Sequence, residues 1–223
     1  MTSFSRKSID NLGKRFRDNT NIEKDKVLFH DYRMFRSVDF IDNFLKISQL
    51  LESHNTVISG RLKRIDTVIR KLRRERKMDL SFMNDICGYR IIVPSRTIQS
   101  NFLELLQKEF SVKKIHNYVN TPKKSGYQGI HIICHVPKFF ANKDTATQLT
   151  MEIQLRTLFQ HVWSTRSESF GENVKVGNDN KLNTNNLLKE SAMIRDFELE
   201  NNNYNQAEFP KSVNKMAFNI INF

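Results

Sequence analysis

MEIQLRT, residues 151–157, alternates Met151, Ile153 and Leu155 with Glu152, Gln154 and Arg156. Successive side chains on a strand point to opposite faces, so the apolar three can cover a core while an acid, an amide and a guanidinium stand in line on the other surface. Taken alone, this describes an edge or half-solvated strand with an opposite-charge pair four residues apart. The chain on either side decides whether that line is a solvated face or a site.

Immediately outward, the strand extends to QLTMEIQLRT and a helix follows from Leu158 through Trp163. Upstream, GYRIIV and GIHIICHV read as strands, SVKKIHNY as a short one, TIQSNFLELLQKEF as a helix and NTPKKSG as a loop. Farther back, SVDFIDNFLKISQLLESH places Phe40, Phe44, Leu45 and Leu51 at helical spacing. A second helix follows Gly60, with Ile65, Val68, Ile69 and Leu72 on its apolar side. Its polar face stacks Arg64, Thr67, Lys71 and Arg74, with Arg61 and Lys63 just before it, and is strongly cationic. Beyond about residue 172 the chain turns Asn-rich, with NNLLKESAMIRDFELE a helix and NNNYNQ a linker. This order predicts an α/β (α+β) fold, a mixed sheet flanked by helices, with a helical segment over 1–55, a core over 56–171 and a helical tail over 172–223.

Composition narrows the partners. The 223 residues carry 36 Lys and Arg against 24 Asp and Glu, a net charge of +12 that points to polyanions. Basic residues gather in RKSIDNLGKRFR and in RLKRIDTVIRKLRRERK at 61–77, which suit a nucleotide's phosphates or a nucleic-acid backbone equally. The N-terminus has no apolar leader, and no apolar run approaches the roughly 18 residues of a membrane span, so a cytoplasmic protein without a membrane partner is expected. Cys87 and Cys134 sit among apolar residues of strands and read as buried free thiols.

Two stretches could carry chemistry. NDICGYR puts Asp85 just before a strand and Arg90 within it, with Gly88 where backbone can approach a ligand. TPKKSGYQGIH sets Lys123, Lys124 and Gly126 on a loop leading to Tyr127, Gln128 and His131, so that a ring can stack on a base beside lysines that hold phosphates. Either stretch by itself is equally an acid entering a strand or an ordinary loop. His131 and His135 are about 13 Å apart on a strand, too far to share a zinc ion. There is no GxxxxGK[ST] phosphate loop.

In order, RLKRIDTVIRKL, DICGYRI, NYVNTPKKSGYQGIH and EIQLRTLFQHVW resemble the successive signature blocks of the RelA/SpoT synthetase domain, that of alarmone synthetases, over roughly residues 56 to 165. The resemblance implies a nucleotidyltransferase-like sheet, Mg²⁺ dependence with Mn²⁺ as a substitute, and ATP as donor. An acceptor's 3′-hydroxyl would attack the β-phosphorus and release AMP. It also implies Asp85 as a metal ligand, and Glu152 as a metal ligand or general base to that hydroxyl. Arg61, Lys63, Thr67, Lys71 and Arg90 would hold ATP, with Arg61 a candidate to stack on adenine. Lys123, Lys124, Tyr127, His131, Gln154 and Arg156 would meet the acceptor. The chemistry asks for these residue types in any case: a metal and cations to gather phosphate oxygens, and a base at the attacking hydroxyl.

The departures fall mainly on the acceptor side. Asn117-Tyr118-Val119 stands where the family commonly has Asp-Tyr-Ile, and Gly129 where it has Ser. After Trp163 the chain runs into STRSESFGENVKVG instead of towards a Glu-His pair. His30-Asp31 resembles a dipeptide of the hydrolase domain in long members, but no room precedes it for that domain's other ligands. The first expectation is a guanosine nucleotide, GDP or GTP, converted to (p)ppGpp. The alternative, towards which the charge leans, is a toxin that pyrophosphorylates the 3′ CCA end of tRNA and is held by an antitoxin protein. A third reading, a degenerate module that only binds nucleotide or RNA, has no use for two acids facing bound phosphates. Small members of the family self-associate, so a homo-oligomer is compatible, though the sequence shows no interface signature.

Overall fold

The computed structural model describes residues 4–18, 22–52, 55–139, 148–169 and 181–200. The chain runs α1 (Arg6–Asp18), α2 (Ile22–Leu51), β1 (Val57–Leu62), α3 (Ile65–Arg74), two 3₁₀ turns (Leu80–Phe82 and Asn84–Ile86), β2 (Cys87–Val93), α4 (Arg96–Glu109), β3 (Val112–Asn117), β4 (Ile130–Phe139), β5 (Gln148–Thr157), α5 (Leu158–Ser169) and α6 (Lys181–Glu200). The strands form one mixed sheet in the order β1-β2-β5-β4-β3.

MEIQLRT therefore lies at the centre of the sheet, not at an edge. β5 pairs parallel with β2 and antiparallel with β4. Its alternation still separates two faces, because the side-chain period of two holds wherever the strand sits. Met151, Ile153 and Leu155 are fully buried in a cluster with Tyr89, Ile91 and Val93 of β2 and Ile130, Ile132 and Cys134 of β4. Helices α1 to α4 complete this cluster with Phe16, Phe29, Ile47, Leu72, Phe102 and Leu106. Arg36 of α2 is buried in it and donates to the Thr150 carbonyl at 2.6 Å and the Tyr32 hydroxyl at 3.3 Å. The outer face of α2 leaves Val27, Met34, Val38, Ile41 and Leu45 exposed; Leu45, grouped from its spacing with Phe40, Phe44 and Leu51, thus lies off the packed side of the helix. Cys87 and Cys134 are buried free thiols.

β1 was missed from sequence. VISGRL is a short edge strand with Ser59 and Gly60 inside it, which weakens the strand signal. Gly60 is required by packing, since a Cβ there would meet the Phe40 ring at 2.7 Å. Arg61 thus projects from a strand rather than from the approach to α3. Among the described residues no helix is long and apolar enough to cross a membrane.

Register builds the other face. Arg61 stands opposite Gly88, and Gly88 opposite Glu152; one step along, Ser59, Arg90, Gln154, His131 and His116 form the next cross-strand row. α5 leaves directly from the end of β5 and packs against β5 and β2, with α6 against α5.

Candidate active site

Two adjoining cavities open on the polar face. The larger, about 440 Å³, is lined by Arg33, Arg61, Arg64, Thr67, Asp85, Gly88, Arg90, Glu152, Gln154 and His161, among others. Asp85 sits in the turn before β2 with φ −97° and ψ 21°, the sparsely populated bridge region in which many active-site residues lie. Its carboxylate accepts from Lys63 Nζ at 2.6 Å and Lys71 Nζ at 3.1 Å. Lys63 follows β1 and Lys71 lies on α3, so the strand end and the helix converge on one acid. Burial alone would raise the Asp85 pKa, but the two ammonium groups outweigh it and hold the carboxyl below its ordinary range.

Glu152 belongs to a closed ring of hydrogen bonds. Gln154 Nε2 donates to Glu152 Oε2 at 3.0 Å, Arg156 Nη2 to Gln154 Oε1 at 2.7 Å, and Arg156 Nε to the Tyr127 hydroxyl at 3.2 Å. The Tyr127 hydroxyl lies 2.5 Å from His131 Nε2, and His131 Nδ1 lies 2.8 Å from Glu152 Oε1. An ionised carboxylate only accepts, so Nδ1 carries the proton and Nε2 accepts from Tyr127. Burial pushes the Glu152 pKa up; the hydrogen bonds from His131 and Gln154 outweigh it, and the net shift is downward.

The smaller cavity, about 200 Å³, is lined by Lys123, Ser125, Tyr127, His131 and Arg156 together with Trp163, Ser164, Ser167 and Glu168 of α5. Whole-ligand sites span about 300–1,000 Å³, so this one suits a single base or similar fragment. Lys123 Nζ stands 4.2 Å from the Tyr118 ring centroid and 4.9 Å from that of Tyr127. Gln154 lines the larger cavity and bridges towards the smaller. Lys124 is exposed and lines neither.

Arg90 has a buried Nε with no partner, and burial followed by the neighbouring Arg156 brings its pKa down to about 10. His161 was overlooked from sequence. Burial, then Arg90 and Arg156, push its pKa down to about 3, so it is neutral at physiological pH. Arg33 was also missed, since nothing in α2's sequence ties it to a cleft whose other walls lie between Ser59 and His161; the packing of α2 on β1 and β2 brings it there. The α5 residues follow a block that was recognised, but which of them face inward depends on how α5 meets the sheet.

Among the described residues no group of three or more His, Cys, Asp or Glu could hold a metal by itself. Two hard carboxylates on one cleft wall are nevertheless a donor set that fits Mg²⁺, which takes one or two carboxylates plus substrate phosphates and waters.

A five-stranded mixed sheet that carries two acids among clustered cations on its polar face has the makings of a nucleotide-handling α+β domain. Residues 60–170 match the family described as the region found in RelA / SpoT proteins, and the chain belongs to that family. It is 28% identical over 174 residues to the GTP pyrophosphokinase YwaC of Bacillus subtilis, covering 72% of this chain and 81% of that one. Among solved structures it resembles small alarmone synthetase 2 of Bacillus subtilis, with 25% identity, a TM-score of 0.60, and 79% of this chain and 94% of that one covered. It shares its fold with small alarmone synthetase 1 of the same organism bound to its product pppGpp, with 24% identity, a TM-score of 0.61, and 77% and 94% covered.

Proposed function

We propose that this protein transfers the β,γ-pyrophosphate of ATP to the 3′-hydroxyl of GDP or GTP, producing (p)ppGpp and AMP. The observation that carries the reading is that Asp85 and Glu152 line one cleft with Arg61 and Arg90, while Glu152 is tied through His131 to the ring of Tyr127. Donor and acceptor subsites therefore meet at a carboxylate. The relationship to a protein named GTP pyrophosphokinase supports the acceptor class.

In this reading Arg61, Thr67, Arg90, Lys63 and Lys71 hold ATP, the two lysines exchanging Asp85 for polyphosphate oxygens. Asp85, with Glu152, would hold Mg²⁺, which when bound neutralises developing phosphate charge. Glu152 takes the proton of the attacking hydroxyl, and a carboxylate that titrates low is available in its basic form at neutral pH. Tyr127 supplies the ring for the acceptor base; Lys123 Nζ and the Arg156 guanidinium lie over that ring, 4.9 and 5.1 Å from its centroid, and would give way to the base to meet phosphate or sugar oxygens.

The net charge of +12 keeps the 3′ end of tRNA as a second reading. Part of that charge is already engaged. Arg15 is bonded to the buried Asp25 at 2.8 Å and Arg17 Nη2 donates to the Met78 carbonyl at 2.5 Å, so two of the three cations in GKRFR have intramolecular partners, while Lys14 is exposed. Incubation with Mg²⁺ and ATP labelled at its β and γ phosphates, with GDP, GTP or deacylated tRNA in parallel, tests the proposal. Label in a guanosine nucleotide supports it; label only at a tRNA 3′ end replaces it with the second reading.

A further inference from the structure

A buried polar contact joins the acceptor-side loop to the C-terminal helix α6 and has no part in the chemistry above. Gln128 directly follows Tyr127, is 3% exposed, and donates Nε2 to the Ser191 carbonyl at 2.9 Å and to Ser191 Oγ at 2.8 Å. Ser191 Oγ in turn donates to the Gly126 carbonyl at 2.5 Å. One serine thus grips the residues on both sides of Tyr127. Packing closes around the same place: a Cβ on Gly126, whose φ is +86°, would meet Ser191 Cβ at 3.1 Å and both Leu188 and Trp163 at 3.2 Å. Trp163, a wall of the smaller cavity, donates its indole N–H to the Leu187 carbonyl at 2.9 Å. At the far end of α6, the buried Glu198 is bonded to the Thr157 hydroxyl and to Gln160 and Arg96 at 3.2 Å each, which fastens the helix to the end of β5.

We propose that α6 is a positioning element of the acceptor subsite, with Ser191 the residue that sets the Tyr127 ring by holding the backbone before and after it. This rests on the function proposed above. The ordinary alternative is that Ser191 merely clips a tail to the domain, in which case its loss would loosen the protein without preferring one substrate. The two differ because the groups assigned to ATP come from β1, α3 and β2, and none of them bonds to α6. An effect that passes through Ser191 and Gln128 must fall on the acceptor alone.

The test uses the full chain with Ser191→Ala, Gln128→Ala and the double variant. Alanine suits a helix, so Ser191→Ala leaves α6 competent to form. Expected for Ser191→Ala, which removes both hydrogen bonds of the hydroxyl and leaves the Gln128 bond to the residue-191 carbonyl, is a rise in acceptor KM of roughly three- to tenfold, with the KM for ATP unchanged. The double variant should be worse than either single one but by less than the two effects combined, since the two side chains share only the Gln128 Nε2 bond to Ser191 Oγ, while Gln128 also reaches the Ser191 carbonyl and Ser191 the Gly126 carbonyl. Amide hydrogen exchange over residues 121–129 should quicken while that of β5 holds. Equal changes in both KM values overturn the proposal. If the wild-type chain labels no nucleotide, the functional reading fails on its own, and unaltered exchange of 121–129 in Ser191→Ala would still sink the positioning role.

Discussion

The hydroxyl of Tyr127 and the carboxylate of Glu152 are joined through a single imidazole, 2.5 Å from the first and 2.8 Å from the second. The ring proposed to stack on the acceptor and the acid proposed to deprotonate it are thereby set in one geometry before any substrate arrives. Removing the hydroxyl while keeping the ring separates their duties. Tyr127→Phe should keep acceptor KM near normal and lower kcat, whereas Tyr127→Ala should weaken the acceptor more than ATP. Steady-state kinetics with each substrate varied in turn distinguishes them, and an equal loss for both substrates in the Ala variant would contradict the stacking role.

Glu152→Gln keeps the size of the side chain but removes the base and turns into a donor one of the two oxygens that accept from His131 and Gln154. Transfer should fall by at least the 10²–10⁴-fold range typical of a lost general base, with nucleotide binding measured by calorimetry largely intact. Near-normal turnover would remove Glu152 from the mechanism.

Lys63 and Lys71 share Asp85 unequally. Lys63 has a side chain 9% exposed at 2.6 Å, against 22% and 3.1 Å for Lys71. Taking away a hydrogen-bonded partner of a buried charge is costly, so Lys63→Met should lower unfolding free energy by about 1–3 kcal/mol and Lys71→Met by less. Urea unfolding of both variants gives the comparison; a larger loss at Lys71 would reverse the ranking drawn from burial.

Asp85 and Glu152 both titrate below their ordinary values in the folded chain. A carboxylate with a depressed folded pKa adds stability in full above its unfolded pKa, about 4, and loses it as pH falls through the folded value. The Tm of the wild type should hold from pH 7 to 5 and drop more steeply below pH 4 than that of Asp85→Asn. Parallel acid limbs for the two proteins would show that Asp85 does not contribute.

Gly129 departs from the family's usual Ser for a reason visible in the structure. Its φ is +146°, and a Cβ would stand 3.0 Å from the Tyr127 hydroxyl and 3.3 Å from Arg156 Cγ. Gly129→Ser should therefore strain the backbone and displace the hydroxyl from His131, reducing activity rather than restoring a family feature. Activity raised above wild type would mean that the loop readjusts freely.

The two acids were singled out through the family resemblance; the separation of the MEIQLRT faces and the cationic character of α3 were legible from local pattern, because side-chain period and residue chemistry are properties of the chain itself. So was family membership, carried by the order of four sequence blocks. Register, neighbours and enclosure were not. A period of two is the same at an edge and at the centre of a sheet, so only strand pairing put β5 between β2 and β4. Ser59 and Gly60 hid β1, whose existence depends on its partner strand and on Phe40 packed against it. Nothing along the chain linked Arg33 or Ser191 to the site, since their distances in sequence carry no distance in space, and His161, although inside the EIQLRTLFQHVW block, had no pattern to show that it faces the cleft. The sequence determined which groups could do the chemistry; the tertiary structure decided which of them meet, because long-range packing and hydrogen bonding choose among the many arrangements that local pattern allows.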